Sequence, residues 1–99
     1  MVQISVDRAK IASFCRSHYI RRLSIFGSVL GEDFGPNSDV DVLVEFEPEH
    51  IPGLDFFLME AELSEILGHK VDLNTPGFLS PYFRDQVLAE AEIQYARAD

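Results

Sequence analysis

Apolar and polar positions alternate most regularly over "DVDVLVEF". Val40, Val42, Val44 and Phe46 fall on one side, and Asp39, Asp41, Leu43 and Glu45 on the other. Period two with one apolar wall predicts a β-strand. Upstream, Ile11, Phe14, Cys15 and His18 recur at helical spacing, and Asp7 is placed to cap a helix running to about His18. "RRLSIFGS" reads as a strand ended by Gly27-Ser28, with Leu23, Ile25 and Gly27 on one face and Ser24 and Phe26 on the other. "VLGED" has room for one helical turn, and "FGPNS" and "EPEHIPG" are connections by composition. From Leu54 to Leu67 the pattern is helical, with Leu54, Phe57, Leu58 and Ala61 in one stripe and Met59, Leu63, Ile66 and Leu67 in an adjacent one. Gly68 is a natural stop. "HKVDLN" predicts a short strand, "TPGF" a turn, and Pro81 a last helix to about Glu92 with Phe83, Val87, Leu88 and Ala91 apolar. "IQYARAD" adds a short extended piece. This order predicts one mixed α/β (α+β) domain over residues 1–99, a small sheet flanked by helices.

Three acids break the pattern. Asp39 and Asp41 sit at the mouth of the best strand, two residues apart, so both side chains leave the same face. Aspartate is a poor strand former and is rarely buried without a partner. Asp72 repeats the anomaly inside "KVDLN". Two carboxylates held this close repel unless something offsets their charge, and a hard divalent cation such as Mg²⁺ does so with oxygen ligands. If the Asp72 strand pairs beside the Asp39 strand, three carboxylates converge, enough to hold two such ions. Gly27-Ser28 supplies the complement: glycine permits close backbone approach, and a serine at a helical turn offers donors to phosphate oxygens.

Composition narrows the function classes. Seventeen acids against eight bases give a net charge of −9, which argues against generic nucleic-acid binding and suits a basic protein partner. A single cysteine, Cys15, excludes an intrachain disulfide, predicts a reducing compartment and reads as a small buried residue. No apolar run approaches the ~18 residues of a membrane span, and the N-terminal residues lack a signal-peptide core, so a cytoplasmic location with no membrane contact is expected. A chain of 99 residues encloses only a modest core, so an active site would be an open cleft, completed by a partner.

Gly27-Ser28, ten residues and then Asp39-Val40-Asp41 resembles the Gly-Ser-x10-Asp-x-Asp signature of the DNA polymerase β-like nucleotidyltransferase superfamily. The flanks "RRLSIFGS" and "SDVDVLVEF" are similar to its small members, the minimal nucleotidyltransferases. "GHKVDLNTPGFLSPYFRDQVLAEA" is similar to their ending, with Asp72 at the third carboxylate, so the likeness spans roughly Arg21 to Ala91. The resemblance implies the nucleotidyltransferase fold. It implies that Asp39, Asp41 and Asp72 bind Mg²⁺, that Asp72 helps activate the acceptor hydroxyl, and that Gly27 and Ser28 hold the β- and γ-phosphates of ATP. It implies transfer of AMP to a protein hydroxyl, a tyrosine of a HEPN-type ribonuclease toxin, by an antitoxin that forms a hetero-oligomer with it. One departure stands out. Relatives carry arginines after Gly-Ser, as in "GSRARG", where this chain has Val29 and Leu30. Arg21, Arg22 and Arg84 are the candidates to replace that charge.

The alternative is an antitoxin that neutralises its partner by docking, with little or no catalysis. A small-molecule acceptor fits less well, because such relatives add a domain to shape its pocket. Glu45 reads as a solvated or partner-facing acid, and His18, His50 and His69 lack ligand spacing. Phe56, Phe57 and Met59 read as core packing, with the option of an exposed apolar strip for a partner.

Overall fold

The computed structural model describes residues 4–31, 35, 38–50 and 52–97. Helix α1 (Arg8–Ser17) starts at Asp7, whose carboxylate accepts from the N–H groups of Ala9 and Lys10 at 3.1 Å. Those donors have no intrahelical acceptor, so the cap supplies one. Strand β1 (Ile20–Phe26) follows, then a 3₁₀ turn (Gly27–Leu30) and strand β2 (Val40–Phe46). Helix α2 (Asp55–Leu67) ends at Gly68 in the left-handed region at φ 70°, the conformation glycine adopts without a Cβ penalty. It leads to β3 (Val71–Asn74), a second 3₁₀ turn (Pro76–Phe78), helix α3 (Arg84–Glu90) and β4 (Glu92–Ala96).

The sheet runs β3-β2-β1-β4, with β1 antiparallel to both β2 and β4, and β2 parallel to β3. Adjacent parallel strands need a crossover, and α2 provides it. α1 packs on β1 and β4, and α2 on β3. Between them and the sheet lies the core: Ile11, Phe14, Met59 and Leu63 meet Leu23, Ile25, Val40, Val42 and Val44. The alternation seen in the sequence is thus the division between the covered face of the sheet and the face that carries Asp41. Cys15 is fully buried, and burial pushes its thiol up to about 12. No helix among the described residues is long and apolar enough to cross a membrane.

The C-terminal part differs from the sequence expectation. α3 is shorter than predicted: Ser80 accepts from the N–H groups of Phe83 and Arg84, so residues 81–83 form a turn ahead of the helix. At the other end Ala91 turns extended, ψ 137°, and the chain enters β4. None of the α3 residues is buried, and Phe83 and Leu88 are exposed. The tail expected as a short extended piece is a full sheet strand, bonded on β1 out to Arg97 N–H and Arg21 C=O at 2.8 Å.

α2 brings a second correction. Met59, Leu63 and Leu67 face the core, but Phe57, read as core from sequence, is 71% exposed. At about 100° per residue, Phe57 lies roughly 160° around the helix from Met59. Leu58 is as exposed as Phe57, and Leu54 is exposed at 87%. The stripe Leu54, Phe57, Leu58 and Ala61 therefore points to solvent, a second apolar face away from the one that meets the core.

Candidate active site

β1 delivers the chain to one end of the sheet, and Gly27 turns it there at φ +81°. The position excludes other residues twice over. L side chains rarely adopt that φ, and a Cβ on Gly27 would collide with Asp41 Oδ2 and stand 3.1 Å from Asp41 Cγ. Gly27 therefore lies directly over Asp41. The Ser28 backbone continues the 3₁₀ turn, which packs against β2; the Ser28 side chain lies outside what the structure describes.

Across β2 the register sets Phe26 opposite Asp41 on one side and Asp72 opposite Asp41 on the other. Asp41 and Asp72 are thus cross-strand neighbours on the sheet face away from the core, within hydrogen-bonding reach of each other. Asp39 is exposed immediately before β2, near enough for its charge to act on Asp41. Burial holds the Asp41 carboxyl above the usual carboxylate range, and the negative charges of Asp72 and then Asp39 push it the same way, as does the hydrogen bond with Asp72. Every influence on Asp41 disfavours its ionised form.

Such a trio fits a hard cation by donor chemistry: carboxylate oxygens and uncompensated negative charge. Among the described residues no three acidic, histidine or cysteine side chains already close into a ligand sphere. Asp41 and Asp72 instead face one another across the two strands.

Of the arginines proposed from sequence to replace the missing family charge, Arg21 and Arg22 lie elsewhere. Arg22 is opposite Glu45 and pairs with it at 3.4 Å, which also gives Glu45 a partner. Arg21 and Arg22 are therefore at the far end of β1, about 13 Å of strand from Phe26. Arg84 donates to the Leu79 carbonyl at 2.9 Å. Val29 is fully buried in the core and Leu30 packs against it, so their side chains serve packing. Of the histidines, His18 meets Glu62 at 2.8 Å and His50 stacks on Tyr19 with centroids 4.5 Å apart. A cleft of about 510 Å³ lined by Tyr19, Glu47, Pro48, Glu49, His50 and Arg97 lies at the other end of β1 and β2. None of the predicted site residues lines it; the aspartates open on the sheet face itself.

The fold thus brings Gly27, Asp41 and Asp72 together on one face of a small mixed sheet. Residues 8–93 match the family described as nucleotidyltransferase domain, and the chain belongs to that family. It is 37% identical over 90 residues to a Methanocaldococcus jannaschii protein named as a protein adenylyltransferase, covering 91% of this chain and 96% of that one. A toxin–antitoxin structure with AMP-PNP shares the fold at TM-score 0.72 and 20% identity, over 93% of this chain and 75% of that one. So does a tri-AMPylated Shewanella oneidensis HEPN toxin in complex with MNT antitoxin, at TM-score 0.64 and 20% identity, over 91% of this chain and 70% of that one.

Proposed function

We propose that residues 1–99 work as one minimal nucleotidyltransferase domain. It transfers AMP from ATP to a tyrosine hydroxyl of a HEPN-type toxin and so acts as its antitoxin, in the cytoplasm. The observation that carries this reading is the Asp41–Asp72 pair on the open sheet face under Gly27. The named relatives support the choice of nucleotide and of partner.

Asp39, Asp41 and Asp72 would hold Mg²⁺, which supplies positive charge to the triphosphate and a polarised α-phosphorus. Gly27, which lets the Asp41 carboxylate lie against the backbone, and Ser28 would hold the β- and γ-phosphates through N–H groups of the Gly27–Leu30 turn. Asp72 takes the proton of the acceptor hydroxyl as its oxygen bonds to the α-phosphorus. The bond from that phosphorus to the β-phosphate oxygen breaks, and pyrophosphate leaves. The toxin would close the site over this sheet face. The surface for that contact is the outer face of α2, where Leu54, Phe57 and Leu58 are flanked by Asp55, Glu62 and Glu65. Apolar anchors inside an acidic rim suit an apolar helix with Lys and Arg at its borders.

Incubation with α-phosphate-labelled ATP, Mg²⁺ and the HEPN-type protein of the neighbouring gene should label that protein. Transfer that persists in the Asp39→Asn, Asp41→Asn double variant rules the assignment out. A second reading, neutralisation by docking alone, is favoured by buried Val29 and half-buried Leu30, the positions where the resemblance implies arginine. A folded variant with Asn at positions 39, 41 and 72 that still silences the toxin fully supports docking; loss of silencing supports chemistry.

A further inference from the structure

Asp72 lies on β3, the outermost strand on its side of the sheet, and a four-residue edge strand is held in place weakly unless its free side is bonded. Here α2 bonds it. Ser64 Oγ accepts from the Val71 N–H at 3.0 Å and donates to the Glu60 carbonyl at 2.8 Å. Glu60 Oε2 accepts from the Leu73 N–H at 2.9 Å. Glu60 and Ser64 are four apart on a helix and so point the same way. Val71 and Leu73 are two apart on a strand and so turn their N–H groups to the same edge.

The residue between the two pinned ones is Asp72. Val71 and Leu73 send their side chains into the core, so Asp72 sends its carboxylate to the opposite face, beside Asp41. Each flank of Asp72 is thus tied to α2 by a side-chain acceptor, while β2 pairs with the other edge of its strand.

We infer that Glu60 and Ser64 are positioning residues, an (i, i+4) clamp from α2 that holds Asp72 at its station against Asp41 so that both carboxylates can meet one cation. This rests on the metal reading given above. Neither clamp residue touches the cation or the substrate. Glu60 contributes through one oxygen accepting from a neutral N–H, so its charge is dispensable and its acceptor is not.

The test uses the full chain with Mn²⁺ alone as probe, titrated calorimetrically, together with amide hydrogen exchange. Ser64→Ala and Glu60→Leu should each weaken Mn²⁺ binding about tenfold, the scale on which residues that orient metal ligands act. They should also speed exchange at the Val71 and Leu73 amides respectively. Glu60→Gln, which keeps an acceptor oxygen, should stay near wild type in both readouts. Should Glu60→Leu not fold, Ser64→Ala set against Ser64→Thr, which retains the hydroxyl, makes the same comparison. Unchanged Mn²⁺ affinity in folded Ser64→Ala and Glu60→Leu overturns the inference, as does Glu60→Gln falling as far as Glu60→Leu. A wild-type protein that binds no Mn²⁺ overturns the metal reading beneath it instead.

Discussion

Asp41 and Asp72 stand opposite each other on adjacent parallel strands, with their carboxyl groups in hydrogen-bonding reach. Folding brings these two acids together from 31 positions apart in sequence.

The pair makes stability depend on pH. The Asp41 carboxyl is raised on folding, by burial first and then by Asp72 and Asp39. The folded state therefore binds its proton more tightly than the unfolded state. Its contribution is favourable below the unfolded value of about 3.9 and is lost as pH rises through the folded value. Metal-free Asp41→Asn should melt above wild type at neutral pH, with the gap closing toward pH 4, while losing nucleotidyl transfer. Thermal melts across that range in a chelator check the sign, and added Mg²⁺ should raise the wild-type melting point at pH 7 but not that of the variant.

Gly27→Ala tests the cradle. The left-handed φ alone costs about 1–2 kcal/mol for an L side chain, and the new Cβ meets Asp41. Urea unfolding should show at least that loss. Nucleotide binding, followed with a fluorescent ATP analogue, should fall further than the stability change accounts for.

Cys15 should be inert in the native protein. With its thiol pushed up to about 12, almost no thiolate exists at pH 8. Labelling by a disulfide reagent should be slow in buffer and immediate in denaturant, its rate following the opening of the fold. The sign for stability is the same as for Asp41: the contribution is present below the ordinary thiol value of 9.0 and fades as pH climbs from there toward 12.

The two sides of α2 should respond in opposite ways. Leu63→Ala on the core side should cost about 2–5 kcal/mol of stability. Phe57→Glu and Leu58→Glu on the exposed side should change stability by about 0.5 kcal/mol or less. Those two should weaken binding of the HEPN-type toxin more than tenfold, on the order of 2 kcal/mol for a buried interface anchor. Calorimetric titration with the toxin reads the second effect and chemical denaturation the first. Undiminished toxin binding in both Glu variants would place the contact on another face.

Much of this was legible in the sequence because it is local. The Asp7 cap, the Gly68 stop and the alternation of Val40, Val42 and Val44 depend on neighbours within a turn or a strand, where backbone geometry alone decides. The same alternation put Asp39 and Asp41 on one face, and their spacing from Gly27-Ser28 identified the family. Tertiary structure decided what depends on partners distant in the chain. It chose which of two apolar stripes on α2 is buried, since periodicity cannot rank Phe57 against Met59 when both recur at helical spacing. It paired β4 with β1 and sent Arg21 and Arg22 away from the aspartates, because strand register follows from the assembled sheet. It turned Val29 inward. It also set Asp72 against Asp41 and bonded the flanks of Asp72 to Glu60 and Ser64, contacts between segments that meet only once α2 has crossed from β2 to β3.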